Sequence, residues 1–302
     1  MSRDRSGGSP RPALDPGAGL TERHVRLPDG RTIRTVTAGD GPGPLVVFEA
    51  GMGAPAASWV HTQREISSRR RTLSYDRSGY GTSDVDAQDR TLERMAEDLA
   101  AVLDAADEPG PVVLVGHSWG VPIIRFFADR WPGRVAGLVF VDGSLAEAMS
   151  AGRIRVAVLS LWLMSGLARA GGSGLIRRMT LAQETAAEIS EADLEIMMRD
   201  YACAPAMTAA RREAHQVIAG LPMLSRLQSA GPPDVPTVSL QGARIDPGMR
   251  TMRPLLNRIA ARLMDAAPQG RIILVEGAGH LIPQERPAAV RDAILEVVDA
   301  AS

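Results

Sequence analysis

An α/β fold, built on a mostly parallel sheet with helices on both faces, is predicted by two features of this 302-residue sequence. Short runs that are apolar at nearly every position recur at 45–48, 72–75, 112–115, 138–141, 237–240 and 272–275. Such runs belong to strands covered on both faces, as in a parallel sheet. Helical segments lie between them. The clearest is 91–106, where Leu92, Met95, Ala96, Leu99, Val102, Leu103 and Ala106 recur at three- and four-residue spacing behind Thr91, a capping residue. Alternating strand and helix in this way wraps a sheet on both sides.

Ahead of this alternation, 22–27 and 32–38 read as two strands joined by Pro28-Asp29-Gly30. Proline's fixed φ and glycine's tolerance of positive φ make that tripeptide a hairpin turn. Residues 1–20 contain ten Gly, Pro or Ser and no apolar run, so they cannot act as the core of a secretory signal and read as a disordered tail. The alternation breaks once, at 143–234, which is too long for a single crossover and reads as a helical insertion over one edge of the sheet. Seven of the chain's 13 methionines lie there, namely Met149, Met164, Met179, Met197, Met198, Met207 and Met223. They suit ordinary helix packing, and a pliable apolar pocket lining can coexist with it. The most apolar stretch, 156–164, is far shorter than the roughly 20 residues of a membrane span and is flanked by Arg155 and Arg169. It is expected to be a helix packed inside the protein, with an interfacial position as the alternative, and no membrane span is predicted.

Composition narrows the function classes. Basic and acidic residues balance at 34 and 35, a net charge of -1, which argues against a general nucleic-acid binder. Every basic residue is Arg, so no lysine is available as a Schiff base or amine nucleophile. With Cys203 as the single thiol there is no intrachain disulfide and no cysteine metal site, a composition compatible with a reducing cytoplasm. A small-molecule substrate is the expected partner; oligomeric state is not legible.

Gly116-His117-Ser118-Trp119-Gly120 follows directly on the run at 112–115 and precedes a helical stretch at 121–131. In the order strand, G-x-S-x-G, helix, the glycines permit a turn so sharp that the serine hydroxyl stands clear of the backbone. On this motif the sequence resembles the α/β-hydrolase superfamily over residues 22–302. Two further pieces support the resemblance. Asp76-Arg77-Ser78-Gly79-Tyr80-Gly81-Thr82-Ser83 looks like the family's D-x-x-G-x-G-x-S loop and is read as structural, while Gly277-Ala278-Gly279-His280 resembles the loop carrying the family's catalytic histidine. The resemblance implies an α/β-hydrolase fold: a mostly parallel central sheet in a core of 21–142 and 235–302, and a helical cap at 143–234 inserted before the penultimate strand.

It also implies the site. Ser118 would be the nucleophile and His280 the base, with Asp246 as the third member because the family order is Ser, then acid, then His. Asp142, at the end of the preceding strand, matches the position used by a minority of relatives and is the alternative acid. The backbone N–H groups of Met52 and Trp119 are the expected oxyanion donors. Where many relatives carry His-Gly in the first of these loops, this chain has Ala50-Gly51, so other hydrogen bonds must fix that loop. No metal or organic cofactor is called for. Haloalkane dehalogenases and many epoxide hydrolases of the superfamily have Asp at the elbow, and Ser118 speaks against both. Ester or lactone hydrolysis of a fairly apolar molecule is the leading expectation. The alternatives are a proline-iminopeptidase-like aminopeptidase, with Glu188, Glu191, Asp193 and Glu195 as acids for a substrate ammonium, carbon–carbon bond hydrolysis or acyl transfer, and a non-enzymatic ligand sensor. Trp119 and Trp162 are the rings expected near the pocket.

Overall fold

Alternation of side chains along each strand divides the core into two halves, one on each face of a single eight-stranded sheet. The computed structural model describes residues 19–176, 189–201 and 203–301. The strands are β1 (Leu20–Arg26), β2 (Thr32–Ala38), β3 (Val46–Glu49), β4 (Thr72–Tyr75), β5 (Val112–His117), β6 (Val135–Val141), β7 (Thr237–Gly242) and β8 (Gly270–Val275). Their spatial order is β1-β2-β4-β3-β5-β6-β7-β8. β1 and β2 form the antiparallel hairpin, β2 pairs antiparallel with β4, and the remaining pairs are parallel. The tail expected at 1–20 lies outside the described residues as far as 18, and Leu20 is already a buried residue of β1.

The helices of eight or more described residues are α1 (Val60–Ser67), α2 (Leu92–Ala105), α3 (Gly120–Arg130), α4 (Ala151–Leu167), α5 (Glu191–Asp200), α6 (Ala204–Ala230), α7 (Met252–Asp265) and α8 (Pro287–Ala300). Thr91 caps α2 as expected, its side chain accepting from the Arg94 N–H. Leu114 of β5 and Leu138 of β6 pack with Leu99, Leu103, Ile123 and Phe127 of α2 and α3. Their neighbours Val113, Val115 and Val139 point to the opposite face, against Trp59, Ile66, Ile294 and Val297. At the sheet edge the continuous-apolar rule fails: Leu274 of β8 is 52% exposed, because an edge strand has a neighbour on one side only.

Helices α4, α5 and α6 all fall between β6 and β7, and core arginines hold the insertion by its acids. Arg34 pairs with Asp200 (3.0 Å), Arg64 with Asp193 (2.6 Å) and Arg77 with Glu213 (2.8 Å). The expectation that 156–164 packs inside the protein is overturned. Val156, Leu159, Trp162 and Leu163 are 64%, 56%, 55% and 57% exposed, and only Ile154 and Ser165 of α4 are buried. Nor is the helix confined to that short stretch: α4 runs on into the π-turn Ala168–Gly172, and Ala151–Ile176, 26 residues helical but for the kink at Gly171 (φ 87°), contains an 18-residue window of mean hydropathy 1.3. By length and composition this run meets the requirement for a membrane crossing. Met179 and Glu188 lie outside the described residues, as does the side chain of Met198.

Candidate active site

Loops at the carboxyl ends of β3, β5, β6 and β8 converge on Ser118, which is where open α/β sheets place their ligands. At the end of β5 the chain turns into α3 through Ser118 itself, at φ 52°, a left-handed conformation that side-chain-bearing residues rarely adopt. The flanking glycines are required by contact. A Cβ on Gly116 would stand 2.9 Å from the Gly120 backbone, and one on Gly120 would stand 2.4 Å from the Glu49 carbonyl oxygen. The turn is also tied to β6, since the Ser118 N–H donates to the Val141 carbonyl and the Ser144 N–H to that of Ser118, each at 3.0 Å.

His280 stands between two partners. The Ser118 hydroxyl is 3.0 Å from its Nε2, and its Nδ1 is 2.6 Å from a carboxylate oxygen. That carboxylate belongs to Asp142, not to Asp246. An ionised carboxylate only accepts, so Nδ1 carries the proton and, in the neutral ring, Nε2 keeps a lone pair for the serine hydroxyl. The reason for the exchange of acids lies in which arginine each aspartate meets. Asp246, the expected acid, accepts from Arg244 Nε at 2.8 Å, and Arg244 in turn binds Glu285 at 2.5 Å. Asp142 sits at the end of β6 with φ 43°, is 4% exposed, and forms a two-pronged pair with the buried Arg253 of α7. The Gly242 N–H donates to it as well, at 3.2 Å. Burial pushes its carboxyl up, but the His280 hydrogen bond and charge and the Arg253 guanidinium outweigh burial and hold the group at about 2.

Neighbouring groups fix the histidine loop. Glu285 accepts from the Gly279 N–H at 2.6 Å and Arg244 donates to the Gly277 carbonyl at 2.9 Å. His117 packs beside His280 with ring centroids 4.9 Å apart, and its Nε2 donates to the His280 carbonyl at 2.9 Å. Burial first, then the charge of His280, bring His117 down from 6.5 to about 4, so it is neutral at pH 7.

The loop after β3 lacks the histidine many relatives use, and Arg77 supplies the missing bonds. Its guanidinium donates to the Ala50 carbonyl at 2.6 Å and the Gly51 carbonyl at 3.0 Å while held by Glu49 and Glu213. The Gly53 N–H donates to the Tyr80 hydroxyl at 3.1 Å. Among the described residues, neither the Met52 nor the Trp119 N–H is engaged in a backbone hydrogen bond. Arg77 and Tyr80 lie in the glycine-rich loop read as structural. There Asp76 accepts from the Ala56 N–H at 2.7 Å and Ser83 donates to the Asp76 carbonyl at 2.7 Å.

Two cavities meet at His280. One of about 220 Å³ is lined by Met52, Ser118, Met197, Tyr201, Leu281 and other residues of the converging loops. The other, about 410 Å³, lies on the Asp142 side and is lined by Leu145, Met149, Met249, Met252 and Leu256 among others. Beside the His117 and His280 imidazoles, the aromatic ring lining the serine cavity is therefore Tyr201. Trp119 is buried in the core beneath, and Trp162 projects from the outside of α4. Among the described residues no group of three or more His, Cys, Asp or Glu is gathered as metal ligands would be.

Comparison with known proteins agrees with this architecture. A sequence model of the alpha/beta hydrolase family matches residues 46–293, and the chain belongs to that family. An uncharacterized protein, YqjL, of Bacillus subtilis is 30% identical over 40% of this chain and 48% of its own length. Epoxide hydrolase 4 of Mus musculus is 32% identical over 42% of this chain and 36% of its own. The chain thus spans less than half the length of these curated relatives. Among solved structures, a thermophilic esterase from Thermogutta terrifontis superposes with a TM-score of 0.70 at 23% identity, over 93% of this chain and 99% of that one, a likeness of fold.

Proposed function

We propose that this protein is a serine hydrolase that cleaves an ester or lactone bond of a small, fairly apolar molecule through an acyl-enzyme. The observation that carries the proposal is the hydrogen-bonded relay from Asp142 through His280 to Ser118, at 2.6 and 3.0 Å. His280 takes the Ser118 proton as Oγ attacks the carbonyl carbon. The Met52 and Trp119 N–H groups receive the oxyanion, and His280 then protonates the leaving oxygen. Water, activated by the same nitrogen, releases the acid and restores the serine. Asp142 holds the ring in the required tautomer and stabilises its cation; Asp246, bound to Arg244, has no part in the relay.

Apolar substrate selectivity is supported by the Met and Leu side chains of both cavities. Among the described residues the aminopeptidase reading lacks its acids. Asp193 is buried under Arg64 and His61, and neither Glu191 nor Glu195 lines the serine cavity. Likeness to an epoxide hydrolase does not carry that chemistry over, because the residue at the elbow is Ser118. Incubation with a fluorophosphonate followed by intact mass measurement tests the proposal: a single adduct is expected on the wild type and none on Ser118→Ala. An unlabelled wild type, or equal labelling of the variant, refutes it.

A further inference from the structure

We propose that α4 is a docking surface that lies in the plane of an anionic lipid interface, a role independent of the chemistry at Ser118. Its solvent-facing stripe is spaced as one helix face: Arg155 and Val156, then Leu159, then Trp162 and Leu163. The four apolar members are each more than half exposed, and a contiguous exposed apolar patch on a folded protein marks a contact surface. The opposite face is committed to the protein. Ile154, Ser165 and Ala168 are buried, and the Thr208 hydroxyl of α6 meets both Ser165 (3.3 Å) and Arg169 (3.1 Å). A helix docked along one side can enter a lipid surface only edge-on, so its apolar length does not make it a span.

Charge selects the partner. Residues 151–176 contain no Asp or Glu, and Arg155, on the apolar stripe, is exposed with no carboxylate partner among the described residues, while Arg153 and Arg169 donate to the Ala148 carbonyl at 2.9 Å and the Thr208 hydroxyl at 3.1 Å. Arg155 is thus the cation on the stripe left for something outside the helix. A second copy would bring two acid-free, arginine-bearing faces together, leaving Arg155 without a counter-charge. Anionic headgroups supply that charge, and the layer beneath them accepts Leu159, Leu163 and the indole of Trp162.

The test is co-sedimentation of the full chain with vesicles of phosphatidylcholine alone or with about one third phosphatidylglycerol. One guanidinium near an anionic surface strengthens binding about fivefold, so Arg155 predicts a preference for the anionic vesicles of at least about fivefold. The double variant Leu159→Asp/Leu163→Asp should lose that binding by about tenfold or more while keeping the wild-type circular dichroism and melting temperature, because both side chains are already in water. Arg155→Gln, which leaves the apolar stripe whole, should weaken anionic binding alone. The proposal is overturned by absence of sedimentation with either vesicle, by equal binding to both, or by unaltered binding of the double variant. A wild-type dimer in light scattering that the double variant dissociates, with no vesicle binding, assigns the stripe to a second copy and overturns it too.

Discussion

Strand β5 and helix α4 both contain strongly apolar stretches and meet opposite fates. Val112, Val113, Leu114 and Val115 are at most 1% exposed, whereas Val156, Leu159, Trp162 and Leu163 are more than half exposed. The difference is in neighbours. β5 is paired on both sides by β3 and β6 and covered above and below by helices, so each of its side chains has a wall. α4 packs against α6 along one side, leaving the rest of a helix that is apolar all round in water. Hydrophobicity says that a segment needs a partner; topology decides whether the chain itself provides one.

The largest effects should come at the end of the buried strand. Ser118→Ala, and separately Asp142→Asn, are expected to lower kcat on a small aryl ester about a thousandfold or more, while Asp246→Asn stays within about threefold because its charge answers Arg244. A larger loss from Asp246→Asn than from Asp142→Asn would restore Asp246 as the acid. Next in size, Leu114→Ala opens a cavity in a sealed layer and should cost about 2–5 kcal/mol in urea unfolding. A cost below about 1 kcal/mol would mean that the β5 layer collapses to refill the space.

The buried His117 adds a pH dependence. Unfolded, it binds a proton near 6.5; folded, only near 4, so between these values the unfolded chain holds more protons. Stability present above pH 6.5 should therefore fall as the pH drops towards 4, by up to about 3 kcal/mol, a slope absent from His117→Gln. Parallel pH profiles for the two proteins would show that His117 ionises inside the fold without penalty. The smallest effect belongs to α4: Leu159→Ala should change unfolding free energy by no more than about 0.5 kcal/mol, since the side chain touches mostly water. A loss comparable to that at Leu114 would show that this helix face is covered in solution, and would end the contrast.

Much of the fold is legible from the residues because its causes are local. Thr91 starts a helix by capping it, Pro28-Asp29-Gly30 turns a hairpin, and Gly116 and Gly120 leave room for the elbow whatever surrounds them. Ser118 and His280 were marked in the same way, each by a short motif after a strand. The acid could not be read so directly, since both Asp142 and Asp246 follow strands between the serine and the histidine. The available signal for the choice was Arg244, two residues before Asp246 and within reach of its carboxylate. The bonds that replace the missing histidine of the loop after β3 were less visible still. They come from Arg77, whose position is set by Glu213, far along the chain on α6.

The residues by themselves therefore determined the alternating fold, the elbow and the two partners that meet there, because strand pattern, glycine geometry and motif order act over a few positions. Only the tertiary structure decided that Asp142 and not Asp246 faces His280, that Tyr201 lines the cavity at the serine, and that the most apolar helix stands in water. Each of these depends on which distant segment arrives opposite a given side chain. Pairing between an arginine and a carboxylate, or between an apolar face and its cover, is a property of that meeting and of neither segment alone.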